Sequence, residues 1–429
     1  MRTTKSPPRH GPITLISVGH ACVDVYQGAV AALVPFFVSE RAYTYAAASG
    51  VVLAATLLSS VVQPLFGALT DRWAMPWLLP VSTLAAGAGV ALSGLGGSYP
   101  LTLLAVAVTG IGVAAYHPEA ARVAREVSHG SHTAMSWFSL GGNIGFALAP
   151  LMVSAVVATA GLHASPLLAL PAVAGAALCA TALRSARTPA TGAATARAAT
   201  AVGRADWTSF TKLTGAIVCR SIVFVGLSTF ISLYVRQRTG AGSASGTAAL
   251  FVLYLGGAVG TVAGGRLAAR YQRVRVVRWS YALTVLAVAG VVFVPGPPLY
   301  LFVALTSAGL YVPFSLHVTL GQDYLPQRMG TASGVTLGLT VSVGGIASPA
   351  IGALADATSL HTALIPLIAL PGLGWLLLRT LPEPATPEPV TPGPGRPRAA
   401  ASPASPASPP TGDARPTPAT DTGHHPLSG

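Results

Sequence analysis

Residues 12–38 of the chain read PITLISVGHACVDVYQGAVAALVPFFV, and this stretch decides the fold. An α-helix that crosses a bilayer needs about 20 predominantly apolar residues, and this stretch exceeds that length. Basic residues precede it, as they precede a signal peptide. A cleaved signal, however, has a shorter apolar region and would not carry His20 and Asp24. We therefore predict a first transmembrane helix that the mature protein keeps.

Similar apolar stretches recur along the chain, and the composition agrees with them. Charged residues make up 9% of the 429 residues, whereas a soluble domain carries about 25%. Hydrophobic residues make up 52%, and the mean hydropathy is +0.62. So little charge excludes a soluble enzyme, a secreted disulfide scaffold and a disordered chain. We predict an all-α integral membrane protein with twelve transmembrane helices, at about residues 12–38, 43–68, 76–97, 100–121, 133–159, 163–183, 209–235, 246–267, 276–295, 298–320, 331–353 and 360–379.

The net charge of +13 comes from short basic runs between the apolar stretches. A nucleic-acid reader needs its basic residues on one water-facing patch, so we expect no nucleic-acid partner. Of the 25 Lys and Arg residues, 21 fall on the same side of the predicted helices as the N-terminus. Because basic loops stay in the cytoplasm, we predict that both termini are cytoplasmic, in the inner membrane of a bacterium.

The sequence lacks the usual motifs for cofactors and catalysis. The three cysteines, Cys22, Cys179 and Cys219, lie inside predicted helices and have no disulfide or metal-type spacing. There is also no Walker loop, zincin motif or nucleophile elbow. We therefore expect no metal, no cofactor and no enzymatic activity.

The longest internal connection, 185–208, is rich in Ala, Thr and Arg and is predicted to be a cytoplasmic linker. It separates one six-helix segment at 12–184 from another at 209–381. Residues 1–11 form a short cytoplasmic N-terminus. Residues 382–429 are rich in Pro, Ser, Thr and Ala and lack the apolar residues that would offset the entropy of ordering them. We predict a disordered cytoplasmic tail there.

The two six-helix segments share a weak internal repeat. GALTDR at 67–72 aligns with GRLAAR at 265–270 at an offset of 198, and Leu-Ala-Pro at 148–150 aligns with Ala-Ser-Pro at 347–349 at an offset of 199. Nearly equal offsets for features far apart in sequence indicate a duplicated unit. Two pseudo-symmetric six-helix bundles around a midplane site form the architecture of alternating-access carriers.

GALTDR, between the second and third predicted helices, resembles the signature loop of the major facilitator superfamily. Five other segments resemble the fosmidomycin-resistance branch of its drug efflux carriers: HACVD at 20–24, MPW at 75–77, YHPEAARVAR at 116–125, GGN at 141–143 and QDYLP at 322–326. The resemblance implies the major facilitator fold and a proton-coupled exporter, whose namesake substrate is a small anionic phosphonate antibiotic. The second loop departs from the pattern, because Ala269 stands at its acidic position.

The polar residues of the first helix are the first candidates for a functional site. His20, Asp24 and Gln27 are spaced i, i+4 and i+7, which places them on one helix face. Lipid cannot solvate such a face, so it should point into a cavity. We interpret Asp24 as a proton site, His20 as a relay or substrate ligand, and Gln27 as a substrate ligand. The alternative is a static polar contact that fixes helix packing.

His117 and Glu119 flank Pro118 in the fourth predicted helix. The proline frees a backbone carbonyl, and freed backbone at membrane depth usually lines water or substrate. We expect both side chains to take part in proton coupling, or Glu119 to form a cytoplasmic gate with Arg72. The alternative for Glu119 is a simple pair with Arg122, one turn along the helix.

Arg220 is the one Lys or Arg that lies deep inside a predicted helix rather than near its end, and it aligns with His20 at an offset of 200. Its guanidinium fork suits phosphate-like or carboxylate oxygens, so we predict that it binds substrate. The alternative is a structural pair with Asp24 or Glu119 across the two bundles.

Weaker candidates share a polar or aromatic side chain inside a predicted helix. Asn143, Gln63, Trp137, Tyr26 and His317 could contact substrate, and helix packing is the alternative for each. Gly67, Asp71, Arg72 and Arg270 belong to the two repeated loops and are predicted to gate the cavity. The resemblance implies that Asp71 bridges the bundles, and a carboxylate suits the positive N-terminus of a partner helix.

These features predict a monomeric carrier that exchanges inward-moving protons for a small solute moving outward across the lipid bilayer. Uptake of a sugar, organic acid or phosphonate by proton symport uses the same charges and stays open. A membrane sensor or interaction protein that uses the Pro-rich tail is the alternative from another class.

Overall fold

The computed structural model describes residues 10–128, 132–186, 205–328, 331–332 and 334–384. The predicted N-terminal segment, most of the predicted linker and the predicted tail from residue 385 onward lie outside these residues, so those boundaries stay predictions. Throughout the described part, the regular structure is helical and contains no strand.

Twelve helices follow one another along the described part of the chain. They are α1 His10–Arg41, α2 Tyr45–Arg72, α3 Leu78–Ser93, α4 Tyr99–Val127, α5 His132–Ala160, α6 Leu170–Ala186, α7 Trp207–Thr239, α8 Ser243–Ala268, α9 Arg273–Phe293, α10 Pro298–Tyr324, α11 Thr340–Ala357 and α12 Leu360–Leu378. A 3-10 helix, Leu162–Ala169, precedes α6, and a π-helical turn, Gly334–Leu339, leads into α11. α10 consists of two α-helical segments, Pro298–Tyr311 and Phe314–Tyr324.

This arrangement confirms the predicted all-α, twelve-helix membrane fold. Among the described residues, ten helices are long and apolar enough to cross a membrane, and α3 is shorter, at 16 residues. Some helix ends differ from the prediction. α1 continues to Arg41 instead of ending at residue 38, because the Arg41 guanidinium donates to the carbonyls of Gly94 and Gly96 and is held at the turn before α4.

The ends of the helices gather at two opposite faces. We call the face that carries the start of α1 and the end of α12 the terminal face; there Lys212 Nζ donates to Thr380 Oγ1 at 2.9 Å. At the opposite face, the distal face, Glu40 Oε2 accepts the backbone N–H of Leu162 at 2.9 Å. In the predicted orientation the terminal face is cytoplasmic and the distal face is extracellular.

The helices form an N-terminal bundle, α1–α6, and a C-terminal bundle, α7–α12. α1 packs against α5 and α6, and α7 packs against α11 and α12. Between the bundles, α2 packs against α11 and α5 packs against α8. A small residue allows one of these approaches, because a Cβ on Gly352 of α11 would lie 2.6 Å from the carbonyl oxygen of Tyr45 on α2.

The contact between α2 and α11 covers only part of their length. It begins at the distal face with Tyr45 and Gly352, and it extends to Ser60, whose carbonyl oxygen lies 3.8 Å from the Cβ position of Gly338. Nearer the terminal face, a Cβ on Gly67 would have nothing within 4 Å. Among the described residues, the bundles therefore pack together at the distal face and leave Gly67, nearer the terminal face, without a close neighbour.

Candidate functional site

A cavity lies between the two bundles, and its walls come from α1, α2, α4 and α5 on one side and α7 and α8 on the other. It contains about 590 Å³ of space not filled by atoms, and it opens to solvent. Gln27, Thr56 and Ser228 supply polar groups to a wall that includes Phe146 and Phe224. A mostly apolar cavity with a few polar groups is typical of a small-molecule site.

The carboxylate of Asp24 lies between two imidazoles next to this cavity. Asp24 Oδ2 is 3.3 Å from His20 Nε2, and Asp24 Oδ1 is 3.1 Å from His117 Nε2. His20 and Asp24 are one turn apart on α1, whereas His117 comes from α4. We call these three residues the His–Asp–His cluster.

Backbone carbonyls fix the orientation of both imidazole rings. His20 Nδ1 donates to the carbonyl of Phe138 at 2.9 Å, and His117 Nδ1 donates to the carbonyl of Val113 at 2.7 Å. A carbonyl oxygen only accepts, so each Nδ1 carries hydrogen and a neutral ring presents the Nε2 lone pair to Asp24. Two lone pairs facing an ionised carboxylate repel it. The cluster therefore holds its contacts best when it carries at least one additional proton.

Residues of α5 shape the back of the cluster. A Cβ on Gly142 would lie 2.5 Å from Asp24 Oδ2 and 2.8 Å from His20 Nε2, so only glycine fits this position without displacing the cluster. The Phe138 ring stacks on the His20 ring at a centroid distance of 4.2 Å. These contacts hold His20 and Asp24 against one wall and leave His117 on the open side.

Exposure increases across the cluster from His20 to His117. The side chain of His20 is 8% exposed, that of Asp24 is 12% exposed and that of His117 is 25% exposed. Val113, whose carbonyl His117 contacts, lines the cavity. His117 is thus the most exposed member of the cluster.

The donor atoms of the cluster lie within 4.8 Å of one another, so a small cation can bridge them, whether a proton or a metal ion. His20 Nε2 and Asp24 Oδ1 are buried and complete no hydrogen bond with a described residue. A proton on His20 Nε2 would bond that atom to Asp24 Oδ2, and a proton on His117 Nε2 would give Asp24 Oδ1 its bond, so satisfying both atoms takes two protons.

Glu119 does not join this cluster. It is fully buried, and both of its carboxylate oxygens accept hydrogen bonds from Arg122, which also pairs with Glu126. Arg72, the expected gating partner, is exposed. The structure therefore favours the pairing that helix spacing offered as the alternative, because the partner one turn away is always within reach.

Arg220 lies on α7 in the C-terminal bundle, and its side chain is buried. One guanidinium nitrogen donates to the carbonyl of Leu310 at 3.3 Å, and Cζ lies 5.5 Å from the centre of the Phe314 ring. Its Nε has no hydrogen-bond partner among the described residues. The carboxylates of Asp24 and Glu119, the structural partners considered for it, are each paired within the N-terminal bundle.

His317 lies near Arg220 on the same face of α10 as Leu310 and Phe314. It is 2% exposed, its Nε2 lies 3.4 Å from the Tyr281 hydroxyl, and its Nδ1 has no partner among the described residues. This bundle therefore buries a cation and an imidazole without a neighbouring described carboxylate.

Two residues predicted to contact substrate make packing or local contacts in this structure, and their contact with substrate stays a prediction. Tyr26 is fully buried, and its hydroxyl donates to the Leu168 carbonyl at 2.9 Å between α1 and the segment before α6. Asn143 is half-buried, and its amide donates to the Ser139 carbonyl of its own helix at 3.2 Å. The reason is that the sequence shows which helix carries a polar group but not which neighbour its side chain faces.

The remaining predicted residues lie at the surface of the described structure. The side chain of Trp137 is 61% exposed on α5, and Gln63 is exposed in the terminal third of α2. Arg270 is exposed at the terminal face, as is Arg72, and the space around Gly67 is open. The side chain of Asp71 lies outside the described residues. The predicted gate is therefore not closed in this structure as far as these residues show.

Comparison with known proteins identifies the family. The model of the Major Facilitator Superfamily matches residues 16–349. The chain belongs to this superfamily. The fosmidomycin resistance protein of Escherichia coli K12 is 30% identical over 393 residues, covering 88% of this chain and 94% of that protein. The uncharacterized MFS-type transporter YfnC of Bacillus subtilis 168 is 29% identical, over 85% of this chain and 91% of that protein.

Solved structures of superfamily members have the same fold. A bacterial homologue of the human lysosomal transporter Spinster, in an inward-facing and occupied conformation, superposes with a TM-score of 0.72 at 13% identity, over 87% of this chain and 97% of that one. The nucleoside transporter NupG gives a TM-score of 0.68 at 13% identity, over 86% and 98%. At these identities the likeness establishes the fold, and the chemistry must come from the residues of this chain.

Proposed function

We propose that this major facilitator superfamily transporter is a proton-coupled antiporter that exports a small anionic solute by alternating access. The observation that carries the proposal is the carboxylate of Asp24, held between His20 and His117 beside a solvent-connected cavity between the bundles. The name of its Escherichia coli relative, a fosmidomycin resistance protein, supports drug efflux.

The His–Asp–His cluster is suited to bind and release protons during transport. When both rings are neutral and Asp24 is ionised, two Nε2 lone pairs face the carboxylate and weaken the cluster. One proton turns one of these contacts into a hydrogen bond, and a second proton does the same for the other. Protonation thus changes the packing of α1 against α4, which couples the proton load to the position of these helices.

Arg220 is our candidate for the residue that holds the anionic group of the solute. The residues Arg220, Phe224 and His317 follow His20, Asp24 and His117 at an offset of 200. The C-terminal bundle therefore repeats the basic members of the cluster, but an apolar ring stands where the acid would be. Burying an unpaired guanidinium is costly, and an anion from the solute would compensate it.

The alternating-access cycle follows if the protons bind to the N-terminal bundle and the anionic group of the solute binds to the C-terminal bundle. The solute would reach the cavity from the terminal face and bind between Gln27 and the region of Arg220. The loaded bundles would rock and release it at the distal face. Protons would then enter the His–Asp–His cluster from that face and favour the return. A proton that moves inward down a membrane potential supplies about 2.3 kcal/mol per 100 mV to this cycle.

Proton symport is the second candidate, and the charge of the cluster favours it. Each proton bound near Asp24 adds positive charge beside the cavity, and this charge attracts an anion instead of expelling it. Uptake of an anion together with protons would use that attraction directly. In the antiport cycle, by contrast, competition between proton and solute must come from the rocking of the bundles.

Transport into proteoliposomes separates the two candidates. Labelled fosmidomycin is the probe, and the pH gradient is imposed without a membrane potential. An antiporter accumulates the probe in vesicles that are acidic inside, whereas a symporter accumulates it in vesicles that are acidic outside. Equal equilibration under both gradients, at a rate above that of protein-free vesicles, would reject proton coupling. No transport above protein-free vesicles would reject this substrate class.

A further inference from the structure

Asp356 connects the two bundles at the distal face. It lies at the end of α11, and its two carboxylate oxygens accept the backbone N–H groups of Tyr45 at 2.8 Å and Ala46 at 2.9 Å. These are the first two residues of α2, so the carboxylate of one bundle caps a helix of the other.

This contact differs from those of the other acidic side chains that the structure describes, because their partners belong to their own bundle. Those contacts are Asp24 with His20 and His117, Glu40 with Leu162, Glu119 and Glu126 with Arg122, Asp206 with Ser209, Asp323 with Arg273, and Glu383 with Arg273 and Val274. The chain thus caps helix ends with carboxylates repeatedly, and Asp356 alone in this group does so across the bundles.

The contact of Asp356 with the N-terminus of α2 is stabilising. The first N–H groups of a helix have no partner within it, and the helix dipole makes that end positive, so a carboxylate there is stabilising. Two neighbouring contacts add to the closure. Gln237 of α7 donates to the Tyr45 hydroxyl at 2.8 Å, and Gly352 lets the backbones of α11 and α2 meet. The bundles cannot separate at the distal face without breaking these bonds.

Because α2 and α11 pack antiparallel, the order of their ends is reversed between the two faces. At the distal face the N-terminus of α2 meets the end of α11, where Asp356 lies. At the terminal face the order is reversed, and Asp71 lies at the end of α2, near the side from which α11 begins. Asp356 and Asp71 thus lie at opposite ends of this helix pair, and the latch at Asp71 stays the prediction from the signature loop.

We propose that Asp356 is the distal latch of the transport cycle, which holds the bundles together in the form open at the terminal face. Opening of the distal face requires its carboxylate to leave the N-terminus of α2. The Asp71 latch expected from the signature loop then acts in the opposite form. This inference goes beyond the proposed function, because a latch of this kind serves export and uptake alike.

The test compares Asp356→Asn with Glu40→Gln in a variant whose three cysteines are replaced by alanine. Glu40 is the matched control, since it also caps a backbone N–H at the distal face but does so within the N-terminal bundle. Spin labels at Ser98→Cys and Ala244→Cys, which are exposed at distal ends of the two bundles, report the distance between them by electron spin resonance.

We expect Asp356→Asn, which keeps one acceptor oxygen but loses the second and the charge that faces the helix dipole, to raise the ratio of distal-open to distal-closed protein by up to about fivefold. Glu40→Gln should leave this ratio unchanged. Gln237→Ala, which removes only the neighbouring bond to Tyr45, should shift it in the same direction by less, and it provides the test if Asp356→Asn fails to fold. An unchanged distance distribution in the folded Asp356 variant, or an equal shift in the Glu40 control, would overturn the latch.

Discussion

His117 Nε2 lies 3.1 Å from Oδ1 of Asp24, although the two residues are on different helices and 93 positions apart in sequence. The contact completes a cluster in which each imidazole is tied to the backbone by Nδ1 and meets the same carboxylate by Nε2. A cluster built in this way gains hydrogen bonds when it gains protons. A transport cycle that uses this property should respond to changes in the cluster.

Asp24→Asn should abolish pH-driven transport while the protein stays folded. The amide has the shape of the carboxylate but cannot exchange a proton near neutral pH, so a pH gradient has nothing to act on. We expect accumulation of labelled fosmidomycin to fall to the level without a gradient. The free energy of unfolding should change by no more than about 2 kcal/mol, as for a single polar substitution.

The control for this variant is Asp323→Asn. Asp323 is also an acidic residue in an ion pair, but it pairs with Arg273 at the terminal face. It should keep gradient-driven accumulation close to that of the unmodified protein. Full coupling in a folded Asp24→Asn protein would show that another residue carries the protons.

Gly142→Ala tests the geometry of the cluster rather than its chemistry. The added methyl group would lie 2.5 Å from Asp24 Oδ2, so the carboxylate or α5 must move. We expect a loss of about 1–3 kcal/mol of stability, as for overpacking, and a displaced pH dependence of transport. Thermal unfolding in detergent and transport rates between pH 5 and 8 measure the two effects.

Gly265→Ala is the matched control for the glycine, because its Cβ would have nothing within 4 Å. This variant should keep both the stability and the pH profile. If Gly142→Ala behaved in the same way as the control, the close packing of α5 on the cluster would affect neither stability nor transport.

The sequence predicts the local part of the site, and the reason lies in helix geometry. The i, i+4 spacing brings His20 and Asp24 together whatever the rest of the fold does, and their Nε2 and Oδ2 atoms lie 3.3 Å apart. Gln27, on the same face, lines the cavity. The number and class of the helices likewise follow from composition, because a bilayer requires long apolar segments.

Contacts between distant helices could not be predicted in this way. His117 reaches Asp24 only because α4 crosses α1 at the right height, and Asp356 meets Tyr45 across 311 positions of sequence. Tyr26 shows a second limit of the sequence. Its helix is buried on nearly every side, so the pattern of apolar residues does not show which side faces the cavity. From the sequence alone, a tyrosine that bonds to Leu168 therefore cannot be told apart from a substrate ligand.

Tyr26→Phe should therefore lower stability without affecting transport. The change removes the hydroxyl that donates to the Leu168 carbonyl, which leaves one buried acceptor without its bond. We expect a loss of about 1 kcal/mol in the free energy of unfolding. Solute affinity and the pH profile should match those of the unmodified protein. A lower affinity for fosmidomycin would return Tyr26 to the substrate site.

Asp206→Ala should lower stability in a pH-dependent way. Asp206 caps α7, and the hydrogen bonds from the Ser209 hydroxyl and backbone N–H hold the pKa of its carboxyl below the usual value. Because the folded-state pKa is lowered, this stabilisation is present above the ordinary carboxyl pKa and is lost as the pH falls through the folded-state value. We expect a loss of about 1 kcal/mol at pH 7 and a smaller loss at pH 3. Unfolding at the two pH values, with a constant loss at both, would contradict the charged cap.

Arg220→Lys is the sharpest test of anion binding, because it keeps the charge and removes the planar fork. A lysine ammonium cannot make the paired hydrogen bonds with which a guanidinium holds a phosphonate or carboxylate. We expect the apparent affinity for fosmidomycin to fall about tenfold, the scale of one lost charge-assisted hydrogen bond. Arg238→Lys is the control, since Arg238 also donates to a backbone carbonyl, that of Phe293, but lies at the distal end of α7. Equal affinities in both variants would mean that the buried guanidinium serves only the packing of α7 against α10, and the anion site would have to lie elsewhere in the cavity.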